Sequence, residues 1–476
     1  MRIKNYTLSL CPECFKLLEA KVVVEDDVVY IVKKCDIHGD FKYKHVWDSE
    51  KVYENMSSLY RRHPQPANGL VLSITNRCNI KCRYCFARSN EILIPELNSD
   101  EIKRILMDYN GEIVYFSGGE PTIREDLFSY IELAKKKRFK TGLFTNGKKL
   151  FQKKYVEDLK KAGLDFVIIQ FDTLEDSVGF YIYGESLCAY KKKALEHLEF
   201  YRIPVYLFVV LIKNYNTDEI KSLLDFVFEK NNCIKIINFN PIWETGRIAE
   251  HEDFTSSMII DALEKQSGIT QEDLLDSTKF AFLLFDFLQR LKCKNNNVHP
   301  RCELRTYVIY HNKKIIPITR MFDVKLVNGI LESILKRKKD TIELYIFLLI
   351  FSFYIFEFLL SNFFKNSNFR ILLKVFLKNI FNANFHFRLM QLSPFTSIIV
   401  GTFQTVGNVD FDLLKTCNLY ANIPGKETIF SACVRQMLLN SVPDFSEFKS
   451  KRLAKCFADI KKYVFDKKID GKRLSV

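Results

Sequence analysis

Short apolar runs alternate with amphipathic stretches through the first half of the chain. The apolar runs are residues 70–74, 113–116, 141–144, 166–170, 205–211 and 234–239. The stretches between them that have helical spacing include residues 99–109, 127–137 and 153–162. Such alternation predicts βα units with a parallel sheet. Residues that carry chemistry are then expected at the carboxyl ends of the strands.

A different pattern precedes the first βα unit. Residues 20–32 read apolar, acidic and apolar, which predicts a hairpin turning at Asp26 and Asp27. A C-x2-C motif and a C-x2-H motif flank it, with the ligands Cys11, Cys14, Cys35 and His38. Two such motifs can place four ligands around one metal ion in a tetrahedral arrangement, as in a structural zinc ribbon. A rubredoxin-like iron fits the same ligands, and buried core thiols are the alternative.

The most apolar stretch, residues 344–364, contains a single charge, Glu357. About 20 apolar residues span a bilayer, although a charge near the middle of a span is costly. Residues 370–381 follow, with Lys374 and Lys378 on one face of a predicted amphipathic helix. Three interpretations stay open: a transmembrane span, a helical pair that docks on a membrane or lines an acyl-chain pocket, and a buried core.

Composition narrows the class of protein. The chain has 476 residues, and 71 Lys and Arg against 57 Asp and Glu give a net charge of +14. The first ten residues lack the apolar region of a signal peptide, so the 13 cysteines favour intracellular metal binding over disulfides. No RNP-like aromatic or helix–turn–helix pattern accompanies the basic charge, and nucleic acid is not an expected partner.

The strongest chemical signal follows the first apolar run of the βα units. Cys78, Cys82 and Cys85 have the spacing C-x3-C-x2-C, with an aromatic residue before the last cysteine. Three thiolates can hold three irons of a 4Fe–4S cube and leave the fourth iron open to chelate a small molecule. No fourth ligand follows at close range, which disfavours a closed structural site.

This spacing, with three later segments, resembles the radical S-adenosylmethionine (SAM) superfamily. The segments are SGGEP at 117–121, TNG at 145–147 and QFD at 170–172. The resemblance implies an α/β partial (β/α)6 TIM-like barrel in which Cys78, Cys82 and Cys85 hold the cluster. It also implies a SAM pocket lined by Gly118, Gly119 and Glu120. Asn146, Gln170 and Asn240 are further candidates for this pocket, with ordinary strand-end hydrogen bonding as the alternative.

A longer series of motifs narrows the resemblance to the archaeal tetraether lipid synthase group and its radical SAM methyltransferase relatives. The series runs from CPEC through TNRCNIKCRYCFA and NFNPIWETGR to HPRCELRTYVIY, covers most of residues 8–325, and resumes weakly over 408–433. It implies a 5′-deoxyadenosyl radical that abstracts hydrogen from an alkyl chain of an isoprenoid lipid, leading to C–C bond formation. The alternative is methyl transfer to a pterin or a similar small molecule. Between the two, the apolar segment 344–364 favours a lipid substrate.

Three later cysteines fall where these relatives carry cysteine outside the barrel. Cys302, Cys417 and Cys433 are therefore expected to bind an auxiliary iron–sulfur cluster, with buried thiols as the alternative. Cys293, His299 or a substrate atom would supply a fourth ligand. Residues 61–69 lack the cysteines that the lipid synthases carry before the first barrel strand.

The predicted organisation has five parts. They are a zinc-ribbon or rubredoxin-like module over 1–62, the radical SAM barrel over 68–255, a barrel completion with Cys302 over 256–330, an α-rich hydrophobic region over 331–400, and a C-terminal segment over 401–476. The expected partners are a lipid substrate, the membrane surface and an electron donor such as ferredoxin or flavodoxin. The expected location is cytoplasmic with peripheral membrane association.

Overall fold

The structure is a computed structural model that describes residues 1–60, 69–91, 96–230, 233–242, 247, 254–290, 302–311, 313–321, 323–336, 396–405, 407–414, 419–422, 429–431 and 433. These residues form an N-terminal antiparallel sheet and a larger sheet covered by helices. The hydrophobic stretches 344–364 and 370–381 lie outside the described residues. No helix within the described part of the chain is long and apolar enough to cross a membrane.

The N-terminal sheet is a four-stranded antiparallel meander in chain order. Its strands are β1 (Arg2–Leu10), β2 (Leu17–Glu25), β3 (Val28–Cys35) and β4 (Gly39–Ser49). The predicted hairpin is confirmed: β2 pairs with β3, and Asp26 and Asp27 turn the chain at φ 49° and 60°. Aspartate tolerates this left-handed backbone better than most residues, which favours a tight two-residue turn there.

The larger sheet is built from βα units, as the alternating pattern predicts. Its strands are β5 (Gly69–Thr75), β6 (Ile113–Gly118), β7 (Lys140–Thr145), β8 (Phe166–Gln170), β9 (Val205–Leu211), β10 (Ile234–Pro241), β11 (Glu303–His311), β12 (Lys314–Pro317), β13 (Thr396–Gly401), β14 (Leu419–Asn422) and β15 (Ile429–Ser431). Strands β5 to β10 are parallel neighbours in chain order. The fold is therefore an α/β partial barrel, as expected.

Helices separate and cover these strands. They are α1 (Glu50–Tyr60), α2 (Ser99–Asp108), α3 (Leu127–Lys136), α4 (Lys153–Ala162), α5 (Asp176–Tyr183), α6 (Cys188–Phe200), α7 (Ile220–Lys230), α8 (Ser256–Ser267), α9 (Gln271–Arg290), α10 (Val324–Lys336) and the short α11 (Phe411–Leu414). Local sequence fixes several of their ends. At the start of α2, Asn98 accepts hydrogen bonds from two helical N–H groups while Glu101 reaches back to the Asn98 N–H group.

Late parts of the chain extend both edges of the parallel sheet. The strand β13 lies parallel to β10, and β11 and β12 continue this edge antiparallel. At the other edge β14 lies parallel to β5. The strand β13 runs across the boundary at residue 400 that the sequence predicts, so residues on both sides of that boundary belong to the barrel sheet.

The N-terminal sheet packs against the segment that follows β13. The buried Lys33 ammonium donates hydrogen bonds to the Gly407 carbonyl at 2.6 Å and to the Ser9 hydroxyl at 3.0 Å. The Thr7 hydroxyl donates to the Asp410 carboxylate at 2.7 Å, and both side chains are buried. These contacts join the two ends of the described chain through polar groups that are costly to bury unpaired.

Candidate active site

The loop after β5 brings three cysteines together at the carboxyl end of the sheet. Cys82 is buried, and Cys78 and Cys85 are half-buried in the same apolar cluster, which includes Tyr183 of α5. Burial raises the pKa of the Cys78 thiol to about 11. The more deeply buried Cys82 thiol has its pKa raised further, chiefly by burial and to a smaller extent by the negative charge of the neighbouring sulfurs. A bound cationic metal would relieve this repulsion, so the donor set fits an iron–sulfur cluster.

Polar groups hold this loop in place. The Arg247 N–H donates to the Cys85 carbonyl at 2.9 Å, and its guanidinium donates to the carbonyls of Cys82 and of Ser89, the latter at 2.8 Å. The Ser89 N–H lies 3.4 Å from the Cys85 sulfur. N–H groups directed at sulfur stabilise thiolate charge, and they tune a cluster that the thiolates hold.

The glycines at the end of β6 pack directly on the base of this loop. A Cβ on Gly118, whose φ is +139°, would lie 2.0 Å from the Thr75 carbonyl oxygen. A Cβ on Gly119 would lie 2.3 Å from the Arg77 carbonyl oxygen. Instead, the Gly119 N–H donates to Thr75 and the Glu120 N–H donates to Arg77, at 2.8 and 2.9 Å. Only glycine allows this approach of two backbones.

Glu120 is fully buried and faces protein donors. Its carboxylate accepts hydrogen bonds from the Thr122 N–H and hydroxyl, from the Thr145 hydroxyl at 2.8 Å, and from the Asn146 N–H at 2.7 Å. Burial raises the pKa of Glu120, while these donors act in the opposite direction. The side chain therefore joins the turns after β6 and β7.

Asn146 stands between this carboxylate and the cysteine loop. Its side-chain amide donates to the Asn79 side chain at 2.8 Å and lies 3.9 Å from the Cys78 sulfur. Its Oδ1 accepts from the Lys148 N–H at 2.9 Å. Of the three strand-end amides that the sequence suggests, Asn146 contacts the cysteine loop directly.

The other two amides lie further along the strand ends. Gln170 donates to the buried Asp172 carboxylate at 2.6 Å, and the Val210 N–H also donates to this carboxylate at 2.7 Å. Asn240 is buried, and a Cβ on Gly401 would lie 2.3 Å from its Oδ1, so it packs against the end of β13. Gln170 and Asn240 therefore line the same end of the sheet as Asn146, on different strands.

The ribbon ligands form a compact group in the N-terminal sheet. The donor atoms of Cys11, Cys14, Cys35 and His38 lie within 4.8 Å of one another. The Cys14 and Cys35 sulfurs are 3.8 Å apart, and His38 Nδ1 lies 3.5 Å from both the Cys11 and Cys35 sulfurs. Zn–S bonds of about 2.3 Å give a tetrahedron with S···S edges of about 3.8 Å, so the four residues fit zinc. The Ile37 N–H lowers the pKa of Cys35 to about 6, which favours the thiolate.

Comparison with known proteins agrees with both sites. A profile of the radical SAM superfamily matches residues 72–227, and a profile of the HMPTM N-terminal zinc ribbon domain matches residues 3–47. A 7,8-dihydro-6-hydroxymethylpterin dimethyltransferase of Methanocaldococcus jannaschii is 32% identical over 379 residues, which is 71% of this chain and 74% of that protein. The chain belongs to the radical SAM superfamily, in the family with this zinc ribbon.

Other relatives are more distant. A probable GTP 3′,8-cyclase of Thermococcus kodakarensis is 27% identical, over 48% of this chain and 76% of that protein. The crystal structure of Streptococcus suis SuiB bound to precursor peptide SuiA is similar at 20% identity and a TM-score of 0.38, covering 51% of each chain. The protein is a radical SAM enzyme that uses a 4Fe–4S cluster and SAM and carries a metal-binding zinc ribbon. Like other radical SAM enzymes, it needs a reductant.

The auxiliary cysteines are only partly described. Cys302 is half-buried at the start of β11, where its carbonyl accepts from the Thr402 N–H at 2.9 Å. Cys433 is buried. Cys417, Cys293 and His299 lie outside the described residues. The auxiliary cluster therefore stays a prediction.

Two buried charged residues near the cysteine loop are absent from the sequence-based candidates. Lys191 of α6 is 1% exposed, its ammonium lies 3.5 Å from the centre of the Tyr183 ring, and burial lowers its pKa to about 8. Asp172 is fully buried, and burial raises the pKa of its carboxyl group. Lys191 is hidden in sequence within three consecutive lysines. Its spacing to the buried Ala194 and Leu195 is the signal that could have placed it on the buried face of α6.

Replacement of Gly119 by alanine should damage the SAM pocket. The new Cβ would collide with the Arg77 carbonyl, which is backbone and can move only with the cysteine loop. We expect a cost of about 1–3 kcal/mol in the free energy of unfolding and at least tenfold weaker SAM binding, measured by chemical denaturation and calorimetry. Gly329→Ala is the matched control because no atom lies within 4 Å of its Cβ position. Equal SAM affinity in the two variants would contradict this account.

Replacement of Cys35 by serine should remove the ribbon metal. Because serine is a poor zinc ligand, metal content measured by mass spectrometry should fall by about one zinc per chain, and hydrogen exchange across the N-terminal sheet should accelerate. Lys16→Ala, which removes an exposed ion pair with Asp36 beside the site, serves as the control. Full metal content in the Cys35→Ser protein would exclude this residue as a ligand.

Proposed function

We propose that this enzyme is a radical SAM methyltransferase that acts on a pterin or a closely related heterocycle. The observation that carries the proposal is the 32% identity to the pterin dimethyltransferase over 379 residues. The matched HMPTM ribbon supports the same assignment. The identity and the ribbon favour this activity over the lipid coupling that the sequence predicts.

In this proposal Cys78, Cys82 and Cys85 hold the cluster. When bound, the reduced cluster would supply one electron to cleave a SAM molecule to methionine and a hydrogen-abstracting radical, and a second SAM would supply the methyl group and leave as S-adenosylhomocysteine. The Asn146 amide beside the Cys78 sulfur and the Ser89 N–H beside the Cys85 sulfur stabilise negative charge on the thiolates.

The turn after β6 would receive the methionyl end of SAM. Gly118 and Gly119 let the turn pack against the Thr75 and Arg77 carbonyls, which occupy their Cβ positions, and this packing fixes the turn beside the cysteine loop. Glu120 acts as a positioning residue that fixes Asn146 through its N–H group. Gln170 and Asn240 are proposed to contact the rest of SAM or the substrate from neighbouring strand ends.

The residues on the inner face of the sheet suit a substrate that is both polar and aromatic. It carries the rings of Tyr115, Phe144, Phe166, Tyr206 and Phe208, which form one cluster with Ile113 and Ile168. Gln170 of β8 and Asn238 of β10 are both opposite Phe208 of β9 in the strand register, so amide side chains flank this ring. A flat heterocycle can stack on aromatic rings and use the remaining hydrogen-bonding capacity of the amides, whereas an alkyl chain offers them no hydrogen bond.

A lipid substrate remains the second candidate function because of one observation, the apolar stretch 344–364. In that case the same radical would be directed at an isoprenoid chain, and the protein would associate with the membrane surface. The electron donor for either activity is proposed to be a ferredoxin or a flavodoxin. Cys302, Cys417 and Cys433 would hold an auxiliary cluster.

Product analysis separates the two functions. Anaerobically reconstituted enzyme is incubated with SAM, a strong reductant and either 7,8-dihydro-6-hydroxymethylpterin or a diether phospholipid, and the products are examined by mass spectrometry. We expect the pterin to gain one CH2 unit for each methyl group added and the lipid to stay unchanged. A lipid lighter by two hydrogens for each new C–C bond, with unmodified pterin, would overturn the proposal in favour of the lipid.

A further inference from the structure

Three buried polar atoms on neighbouring strands of the barrel have no hydrogen-bond partner among the described residues. They are the Oδ1 of Asn238 on β10, the Oγ of Ser397 on β13 and the Nε of Arg305 on β11. Ser397 is fully buried and Arg305 is 5% exposed. Buried polar atoms are almost always paired, so three unpaired atoms close together require an explanation.

The strand register puts these atoms on one patch. Asn238 is opposite Ile399 of β13, and Ile399 is opposite Arg305 of β11. Ser397 lies two residues before Ile399 on the same face of β13, since side chains two residues apart point the same way. The three residues therefore occupy adjacent positions on three adjacent strands.

The patch faces the interior of the barrel. The residues that alternate with it belong to the main core under the helices, namely Ile237, Phe239, Leu304, Ile398 and Val400. Because successive side chains of a strand point to opposite faces, the patch lies on the face away from that core. On β9, Phe208 is opposite Asn238 and contributes to the aromatic cluster of this same face.

A largely buried ion pair completes the patch. The Arg305 guanidinium donates to the Glu303 carboxylate at 2.8 Å. Burial raises the pKa of the Tyr115 phenol and the Glu303 charge raises it further, whereas the Arg305 charge partly offsets the effect of burial on the pKa of Tyr206. Tyr206 stacks on Phe166 with ring centres 4.8 Å apart. The charged pair and the aromatic rings therefore enclose the same space from different strands.

We propose that Asn238, Ser397 and the Glu303–Arg305 pair form the recognition site for the hydrogen-bonding edge of a flat heterocycle such as a pterin. This assignment rests on the proposed function and names the residues that select its substrate. The amino–oxo edge of a pterin offers neighbouring N–H donors to a carboxylate or an amide oxygen, and acceptors to a guanidinium or a hydroxyl. Its ring system fits against the aromatic cluster.

Ligand binding and stability measured together test this assignment. Asn238→Leu and Ser397→Ala remove the Oδ1 and Oγ atoms that have no partner within the described part of the chain, so the melting temperature of the ligand-free protein should stay close to that of the wild type. Affinity for 6-hydroxymethylpterin, measured by fluorescence quenching with the cluster loaded, should fall at least tenfold in each variant. Thr306→Val is the matched control, since it removes an unpaired buried hydroxyl from the opposite face of β11 and should leave the affinity unchanged.

The outcomes separate this assignment from the proposed function. Wild-type protein that binds the pterin while both variants bind it equally well overturns the recognition site alone. Wild-type protein that does not bind the pterin overturns the proposed function as well. If SAM affinity falls as much as pterin affinity, the patch belongs to the SAM pocket and the assignment fails.

Discussion

Cys82→Ala is expected to abolish SAM cleavage. Cys82 is the most buried of the three thiols, and its removal leaves two ligands for a cluster that needs three. Release of 5′-deoxyadenosine under strongly reducing conditions should fall at least a thousandfold, to the level of the uncatalysed reaction. Iron content should fall in parallel, and the absorbance and EPR signals of the 4Fe–4S cluster should disappear.

Cys188→Ala provides the matched control for this variant. Cys188 is also a buried thiol close to the barrel, but it lies at the start of α6, where its thiol donates to the Thr173 carbonyl at 3.8 Å. The control should retain its cluster and most of its activity. Deoxyadenosine release by Cys82→Ala that equals that of Cys188→Ala would disprove the assignment of Cys82 as a ligand.

Glu120→Gln is expected to have the second-largest effect. The two side chains have the same shape, but an amide nitrogen in place of Oε2 would face the Asn146 N–H, or in place of Oε1 the Thr122 N–H. Leaving a buried donor unpaired costs about 1–3 kcal/mol. We expect a comparable loss in the free energy of unfolding and SAM binding at least tenfold weaker, because Asn146 would leave its position beside Cys78.

A conservative change on the surface controls for the loss of charge in Glu120→Gln. Glu157→Gln removes a carboxylate that pairs with Lys161 on the exposed side of α4, where ion pairs contribute little. This protein should unfold and bind SAM like the wild type. If Glu120→Gln also unfolds and binds SAM like the wild type, Glu120 does not hold Asn146 in place.

The sequence predicts the parallel half of the fold well because that half is locally encoded. The runs 166–170 and 205–211 coincide with β8 and β9, and residues 153–162 coincide with α4. Each of these elements carries its own periodicity, and each βα unit buries its apolar face against its neighbours. The zinc ribbon is equally predictable from the sequence, since its two motifs and the turn at Asp26 and Asp27 lie within a short stretch.

Long-range features are not predictable in this way. The strand β13 pairs with β10, which lies more than 150 residues earlier in the chain. The sequence of β13 itself does not indicate which strand it pairs with. The sequence does not predict that Asn238 Oδ1 has no hydrogen-bond partner among the described residues, because this depends on which strands lie beside β10. Lys191 stands among other lysines in the sequence, as a surface residue would, but its side chain is buried in the fold.

The motifs specify the cofactor chemistry and leave the substrate open. Cys78, Cys82 and Cys85 with the glycines at 118 and 119 are shared by enzymes that act on very different molecules. The sequence-based prediction of a lipid substrate depends on residues 344–364, which lie outside the described residues. The preference for a pterin depends on the relative that is 32% identical and on the polar inner face at Asn238.

The most direct test of the proposed function is substrate-stimulated release of 5′-deoxyadenosine. Reconstituted enzyme with SAM and reductant is compared without substrate, with 7,8-dihydro-6-hydroxymethylpterin and with a diether phospholipid, and Cys82→Ala gives the background. A radical methyltransferase for pterins should release deoxyadenosine at least tenfold faster with the pterin than with the lipid or without substrate. Stimulation by the lipid alone, with the pterin at the unstimulated rate, would contradict it.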